Sequence, residues 1–208
     1  KFIASTGSVN ASIDVVAAAD RGIVVSQTGY KSDPTIELTW ALILASARNI
    51  VAESNSLRSG GWQRTVGTEL RGKTLGVLGL GRVGSEVAGI GRAFGMNLIA
   101  WSRNMTPVVA QAAGAVLVSK DELFEQADIL TIHLVLSDRT RHIVGDAELQ
   151  AMKPSAFLIN TARGPIVDER ALVSALESGR IAGAGLDVFD EEPLPPGHSL
   201  RHLDNVVL

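Results

Sequence analysis

The most explicit chemistry in this sequence lies in Gly79-Leu80-Gly81-Arg82-Val83-Gly84, which has the spacing G-x-G-x-x-G. As a bare pattern it is weak, because a chain with 21 glycines can produce it by chance. Its setting makes it specific. It leaves an apolar run, Thr74 to Leu78, and opens a helical pattern in which Val83, Val87, Ile90 and Phe94 recur in steps of 4, 3 and 4. Gly79 permits a tight turn, Gly81 lets a pyrophosphate reach backbone N–H groups, and Gly84 lets helix and strand pack closely. The helix N-terminus adds the positive end of a dipole. The chemistry implied is dinucleotide binding. Such domains usually carry Asp or Glu about 20 residues onward, at the end of the second strand, to bind the ribose hydroxyls. Here the position 18 residues after Gly84 is Ser102, followed by Arg103. No carboxylate repels a 2′-phosphate and an arginine is at hand to bind one, so NADP(H) is at least as well suited as NAD(H). A merely solvated Arg103 is the equal alternative.

Positioning that turn requires a sheet. Thr74–Leu78, Asn97–Trp101, Ala115–Val118, Asp128–His133, Ala156–Asn160 and Ala182–Val188 read as strands, most of them continuously apolar, as strands buried on both faces are. Helices separate them. Thr106-Pro107 opens one that Gly114 closes, Ser119 and Glu122 form a capping box for another, a third ends before Pro154, and Asp168 caps one that stops at Gly179. Alternating strands and helices with right-handed crossovers give an α/β fold, a doubly wound parallel sheet of Rossmann type. Upstream, Phe2–Ser5 and Ile23–Ser26 read as short strands around a small helix, Ile13–Ala19. A helix then starts at Asp33-Pro34, with Ile36, Trp40, Ile43, Ala47 and Ile50 at helical spacing, and fades near Ser56.

Composition narrows the classes. The 208 residues suffice for one full domain and part of a second. With 46% hydrophobic residues, 20% charged and a net charge of −3, the chain is not of disordered composition, and nucleic-acid affinity is disfavoured. The absence of cysteine removes disulfides, thiol catalysis and thiolate metal sites, and suggests a reducing, cytoplasmic setting. The longest apolar stretch, Leu38–Ala47, is half a membrane span. Both ends fall within strand-like runs, so segments of a longer protein are expected on each side.

Three later segments join the glycine turn to make a resemblance. Asn160-Thr161-Ala162-Arg163-Gly164 follows one strand, Leu186-Asp187-Val188-Phe189 ends another, and Asp190-Glu191-Glu192-Pro193 comes next. Over essentially its whole length the chain closely resembles the D-isomer-specific 2-hydroxyacid dehydrogenases. That resemblance implies an oxidoreductase moving hydride between NAD(P)H and a small 2-keto or D-2-hydroxy acid. It makes residues 1–32 the remnant of a substrate domain and 33–208 the dinucleotide-binding domain, with 33–57 as the crossover helix. Arg163 then matches the arginine that holds the substrate's carboxylate and carbonyl, a task suited to a planar two-pronged cation. Glu192 matches the carboxylate that partners the catalytic histidine, Asp187 the residue at the nicotinamide carboxamide, and Arg82 and Val83 the turn positions at the pyrophosphate. Thr161 and Ala162 line the nicotinamide side, and Leu134, Val135 and Thr140 match further cofactor positions, although Val135 replaces the family's usual proline. The loop Thr6-Gly7-Ser8-Val9 resembles the stretch whose N–H groups meet the substrate carboxylate. Relatives pair through nucleotide domains and the crossover helix, which implies a homodimer.

The family's acid/base histidine lies in a Thr-Pro-His segment after a strand like Asn205–Leu208, and none of His133, His142, His198 and His202 occupies it. His133 ends a strand near the ligand edge, where packing is its simplest role. His198 and His202 have i, i+4 spacing, but the preceding Pro195-Pro196-Gly197 argues against a rigid metal site, and zinc wants three or four convergent ligands. No metal is expected. Two other readings share the fold. A dinucleotide-sensing corepressor keeps similar site residues, and formate dehydrogenases carry glutamine in the slot of Glu192.

Overall fold

The computed structural model describes residues 1–5, 13–27, 29 and 31–208. They divide into two compact units, Lys1–Pro34 and Thr35–Leu208. In the first, strands β1 (Phe2–Ser5) and β2 (Val24–Gln27) pair in parallel around helix α1 (Val15–Asp20), whose N-terminus Asp14 caps by accepting the Ala17 N–H at 2.8 Å. The expected substrate loop, Thr6 to Val9, lies outside the described residues.

The second unit is built on a seven-stranded sheet. Its strands are β3 (Thr74–Leu78), β4 (Asn97–Trp101), β5 (Val116–Leu117), β6 (Ile129–Ile132), β7 (Phe157–Asn160), β8 (Gly183–Leu186) and β9 (Val206–Val207). They lie in the order β5-β4-β3-β6-β7-β8-β9, every pair parallel. The order reverses between β3 and β6, which is the doubly wound arrangement the sequence predicts. β1, β3 and β4 have the predicted bounds, β2 lies one residue later than predicted, and β5 to β8 are one to three residues shorter than predicted.

Alternate strand residues face opposite cores. On one face Leu75, Val77, Ile129 and Ile159 pack with Ile36, Trp40 and Ile43 of α2 (Asp33–Ala47), Val87 and Ala88 of α4 (Arg82–Ala93) and Ala110 of α5 (Pro107–Ala112). On the other, Leu78, Leu130, Ile132 and Leu158 pack with Leu123 and Phe124 of α6 (Lys120–Gln126), Leu149 of α7 (Asp146–Ala151) and Leu172 and Leu176 of α8 (Glu169–Glu177). Burial on both faces explains why the strands are continuously apolar. Local signals also appear as predicted: the Ser119/Glu122 capping box is complete, Thr106 caps α5, and Asp168 caps α8.

The helix predicted from Asp33 to near Ser56 is instead two helices. α2 stops at Ala47, α3 runs Ile50–Arg58, and the two are bent by 62°. Asn49 sits in the left-handed region at φ +52°. The Ala47 carbonyl accepts the Thr68 N–H at 2.6 Å, and Asn49 Nδ2 donates to Thr65 Oγ1 at 3.0 Å. The returning loop thus takes a backbone acceptor, the Ala47 carbonyl, that a continuous helix would use, and Asn49 ties the break to the same loop through its side chain. Helical periodicity carries no sign of that. Among the described residues no single helix is long and apolar enough to cross a membrane.

The edge opposite the strand ends of interest is tied by Asp128, which accepts the Thr74 N–H at 2.8 Å and pairs with Lys153 Nζ at 2.9 Å. Burial opposes its charge, but these two partners outweigh burial and hold the carboxyl below its usual range.

Candidate functional site

Register assembles the site. Trp101 pairs with Leu78, Leu78 with Ile132, Ile132 with Asn160 and Asn160 with Leu186, so five strands run level to one edge. The residues that follow are Ser102, Gly79, His133, Thr161 and Asp187. With strands about 4.8 Å apart they form a row spanning roughly 19 Å. Doubly wound sheets bind ligands outside this carboxyl edge, at the point where strand order reverses. That point is the β3–β6 junction.

At the junction Gly79 has φ +103°, and a side-chain carbon added there would lie 2.8 Å from the His133 carbonyl carbon. One added at Gly84 would collide with the Gly79 carbonyl oxygen, whereas one at Gly81 would meet nothing within 4 Å. Two glycines are therefore backed by protein, and the middle one opens onto free space at the N-terminus of the 12-residue α4. This cradle fits a phosphate group approaching backbone N–H groups. Arg82 is exposed and Val83 half-buried on the first turn of that helix.

Three of the predicted cofactor residues have their hydroxyls in internal bonds. Ser102 Oγ accepts the Leu80 N–H at 3.3 Å and so ties β4 to the glycine turn, and Arg103 beside it is exposed. Thr140 Oγ1 accepts the Ser137 N–H at 2.8 Å and donates to the Val135 carbonyl at 2.7 Å. It shapes the loop after β6, on which Leu134 lies against the Gly79 position and Val135 is 84% exposed. The Thr161 hydroxyl is 2.8 Å from that of Thr39 on α2, in the interior. What Thr161 presents to the edge is backbone.

His133 bonds Thr131 Oγ1 through Nε2 at 2.9 Å, and burial pushes its imidazole down to about 4. It is neutral at neutral pH, which suits packing rather than acid catalysis. His198 is held by Glu169: Nε2 lies 3.0 Å from Oε1, while Nδ1 accepts the Leu200 N–H at 3.3 Å. Since Nδ1 accepts, the ring proton is on Nε2 and points at the carboxylate.

The loop that carries Arg163 and the segment that carries Glu192 meet through backbone at Gly164 and Phe189. Asn160, at the end of β7, accepts the Ala162 N–H through Oδ1 and donates from Nδ2 to the Arg163 carbonyl, both at 3.0 Å. The exposed Arg163 follows, and Gly164 seats directly on the backbone of Phe189 and Asp190, with no room for a side chain. Glu192 Oε1 accepts the Phe189 N–H at 3.1 Å. The Asp187 N–H donates to the Asn160 carbonyl at 3.0 Å, and burial together with the Glu192 charge raises the Asp187 carboxyl. Glu169 Oε2 accepts the Asp190 N–H at 3.2 Å; burial, and then Glu169, raise Asp190.

Sequence reasoning quotes Asn160 and Gly164 without giving them a role, and does not single out Thr39 or Glu169. The one available signal was a buried polar residue ending an apolar strand, as Asn160 does at 1% exposure.

The fold and this edge define a Rossmann-type dinucleotide-binding domain. The sequence profile of the D-isomer specific 2-hydroxyacid dehydrogenase NAD binding domain matches residues 40–208. The chain belongs to that family. It is 50% identical over 206 residues to a glyoxylate reductase of Aeropyrum pernix, covering 94% of this chain and 62% of that protein. It is 44% identical to a D-3-phosphoglycerate dehydrogenase of Methanocaldococcus jannaschii, covering 100% of this chain and 40% of that one. The structure of a phosphoglycerate oxidoreductase from Vibrio cholerae superimposes with a TM-score of 0.93 at 36% identity, over 100% of this chain and 68% of its own. The chain thus spans less than two thirds of the length of the two curated relatives.

The contrast between glycines is testable. Gly81→Leu has room to fold, so its melting transition stays cooperative and close to that of the parent. Phosphate hydrogen bonds worth about 1.5–3 kcal/mol each are lost, so NADH and NADPH binding, measured by fluorescence titration, weakens at least ~10-fold. Gly84→Leu disrupts the fold itself. Unchanged affinity in Gly81→Leu would remove the turn from the site.

Proposed function

We propose that the complete protein interconverts a small 2-keto acid and a D-2-hydroxy acid using a nicotinamide dinucleotide. The observation that carries this reading is the seating of Gly164 on Phe189, which couples the Arg163 loop to the Glu192 segment at the ligand edge of the sheet. The relatives named glyoxylate reductase and D-3-phosphoglycerate dehydrogenase favour turnover over sensing.

When bound, the dinucleotide supplies or accepts hydride at its nicotinamide. The chain's residues bind, orient and set charge. The Gly79–Gly84 turn with Arg82 and Val83 holds the pyrophosphate. Leu134, Val135, Thr161 and Ala162 border the nucleotide with apolar side chains and backbone, and Asp187 offers an acceptor to the carboxamide. Arg163 grips the substrate's carboxylate and carbonyl, orienting C2. Glu192 partners a histidine contributed from outside these residues; a carboxylate beside an imidazole favours the protonated form, which donates to the carbonyl oxygen.

Arg163→Ala lowers kcat/KM for keto-acid reduction by about 100-fold, since orientation is lost along with affinity, and spares dinucleotide affinity. Lysine rescues poorly because one ammonium cannot reproduce the fork. A complete, dinucleotide-binding protein that turned over no keto acid would overturn the reading.

Ser102 and Arg103 support use of NADPH at least as well as NADH. Arg103→Ala weakens NADPH binding selectively, by about 1–3 kcal/mol for a charge-assisted contact. Equal loss for both cofactors would show that Arg103 does not read the 2′-phosphate.

The same reading makes the protein a homodimer. Its support is α3, which buries none of its residues, and the adjoining loop, where Trp62 is 77% and Val66 83% exposed. Sedimentation of the complete protein is expected to give a dimer that Trp62→Glu weakens; a monomer at all concentrations would refute it.

A further inference from the structure

We propose that Thr39 is a positioning residue for Arg163, acting through a buried hydroxyl relay into the loop that carries the arginine. The inference rests on the reading of Arg163 as the clamp for the substrate's carboxylate.

The relay has a fixed direction. Thr39 Oγ1 lies 2.7 Å from the Thr35 carbonyl and 2.8 Å from Thr161 Oγ1. A threonine hydroxyl has one proton, and a carbonyl can only accept, so the Thr39 proton belongs to Thr35. The Thr161 hydroxyl must then donate to Thr39. The chain runs from Thr161 through Thr39 to the first turn of α2, joining residues 122 apart in sequence. Thr39 is 0% and Thr161 6% exposed, so no solvent replaces a lost partner.

What the relay holds is the arginine's loop. Asn160 closes the turn from Asn160 to Arg163 on itself by gripping the Ala162 N–H and the Arg163 carbonyl. That fixes the shape of the turn and leaves its placement to other contacts. Its start is set by β7, where Asn160 lies between Ile132 and Leu186 and accepts the Asp187 N–H. Beyond Asn160 the placement is set by Gly164 against Phe189 on one side and Thr161 against Thr39 on the other. Arg163 Nη1 donates to the Ala162 carbonyl at 2.6 Å, so the direction of the guanidinium follows the placement of this same turn. Without Thr39 the loop retains its anchor to the Glu192 segment and loses its anchor to α2. Arg163 then shifts relative to the nucleotide edge while the glycine turn, on β3, is untouched.

The test compares Thr39→Val, Thr39→Ser and Thr161→Val in the complete protein. Dissociation constants are measured for NADH, NADPH and oxalate, a planar dianion resembling a 2-keto acid. KM and kcat are measured for glyoxylate, and amide exchange is followed at Ala162 and Arg163. Thr39→Val is expected to raise the oxalate dissociation constant and glyoxylate KM by about 10- to 100-fold, the scale of a misplaced orienting group. Dinucleotide affinity stays within about twofold, below the size of one lost hydrogen bond. The Ala162 amide exchanges faster, because a turn without its anchor to α2 opens its own Asn160 bond more often, and Thr39→Ser, which keeps the hydroxyl, behaves as the parent. Thr161→Val breaks the relay from its other end. If Thr39→Val fails to fold, the same rise in the oxalate dissociation constant and the same faster Ala162 exchange are expected of Thr161→Val. Dinucleotide affinity is compared only between the parent, Thr39→Ser and Thr39→Val. Unchanged oxalate affinity in a folded variant, or equal weakening of oxalate and dinucleotide, would overturn the positioning role. If the parent bound neither oxalate nor glyoxylate, the proposed function would fail. The relay would still be judged on its own by Ala162 exchange, and exchange indifferent to Thr39→Val would end it.

Discussion

Everything at the candidate site depends on one constraint, the level register of five parallel strands at a single edge. Parallel pairing forces all carboxyl ends to the same side, and the pairings from Trp101 across to Leu186 bring them flush. Each strand can then deliver its next residue into one row, and the glycine turn, Arg103, Arg163 and the Glu192 segment follow within a few residues of it. A register slip on one strand would turn its core residues to the opposite face. The two packed cores hold the register against that, which links the burial of Leu75, Leu130 and Leu158 directly to the geometry of the edge.

On that row, backbone meets backbone at three glycines. Gly79 lies against His133, Gly84 against Gly79, and Gly164 against Phe189. Close approach at these points means that the loops are fixed by main-chain contact rather than by flexible side-chain tips. The hydroxyls of Ser102, Thr140 and Thr161 reinforce this from within. The charged side chains of Arg103, Arg163, Asp187 and Glu192 are exposed at this edge.

The electrostatics are uneven along the row. Near β8, Asp187 and Glu192 crowd negative charge, and Asp190 and Glu169 repeat this one loop further. A raised carboxyl marks a cost of ionisation in the folded state, which a hydrogen-bond donor arriving at Asp187 would relieve. At the switch point, burial keeps His133 neutral, so its imidazole adds no charge beside the N-terminus of α4.

How much of this was legible in the sequence follows from the range of each interaction. Strand and helix identity, the glycine turn and the helix caps are local, set by periodicity of 2 or 3.6 and by residues three or four apart. The G-x-G-x-x-G spacing, the Ser119/Glu122 box and the Asp168 cap were therefore readable, as was the family resemblance carried by Arg163, Asp187 and Glu192. Interactions between distant segments were not. The break after Ala47 is made by Thr68, the hydroxyls of Thr39 and Thr161 meet across 122 residues, and Gly164 finds Phe189 on another loop. None of these partners shares a helical turn or strand repeat, and only the folded sheet places them within reach. The sequence determined which chemical groups this domain carries; the tertiary structure decided which of them are free to meet a ligand and which hold the others in place.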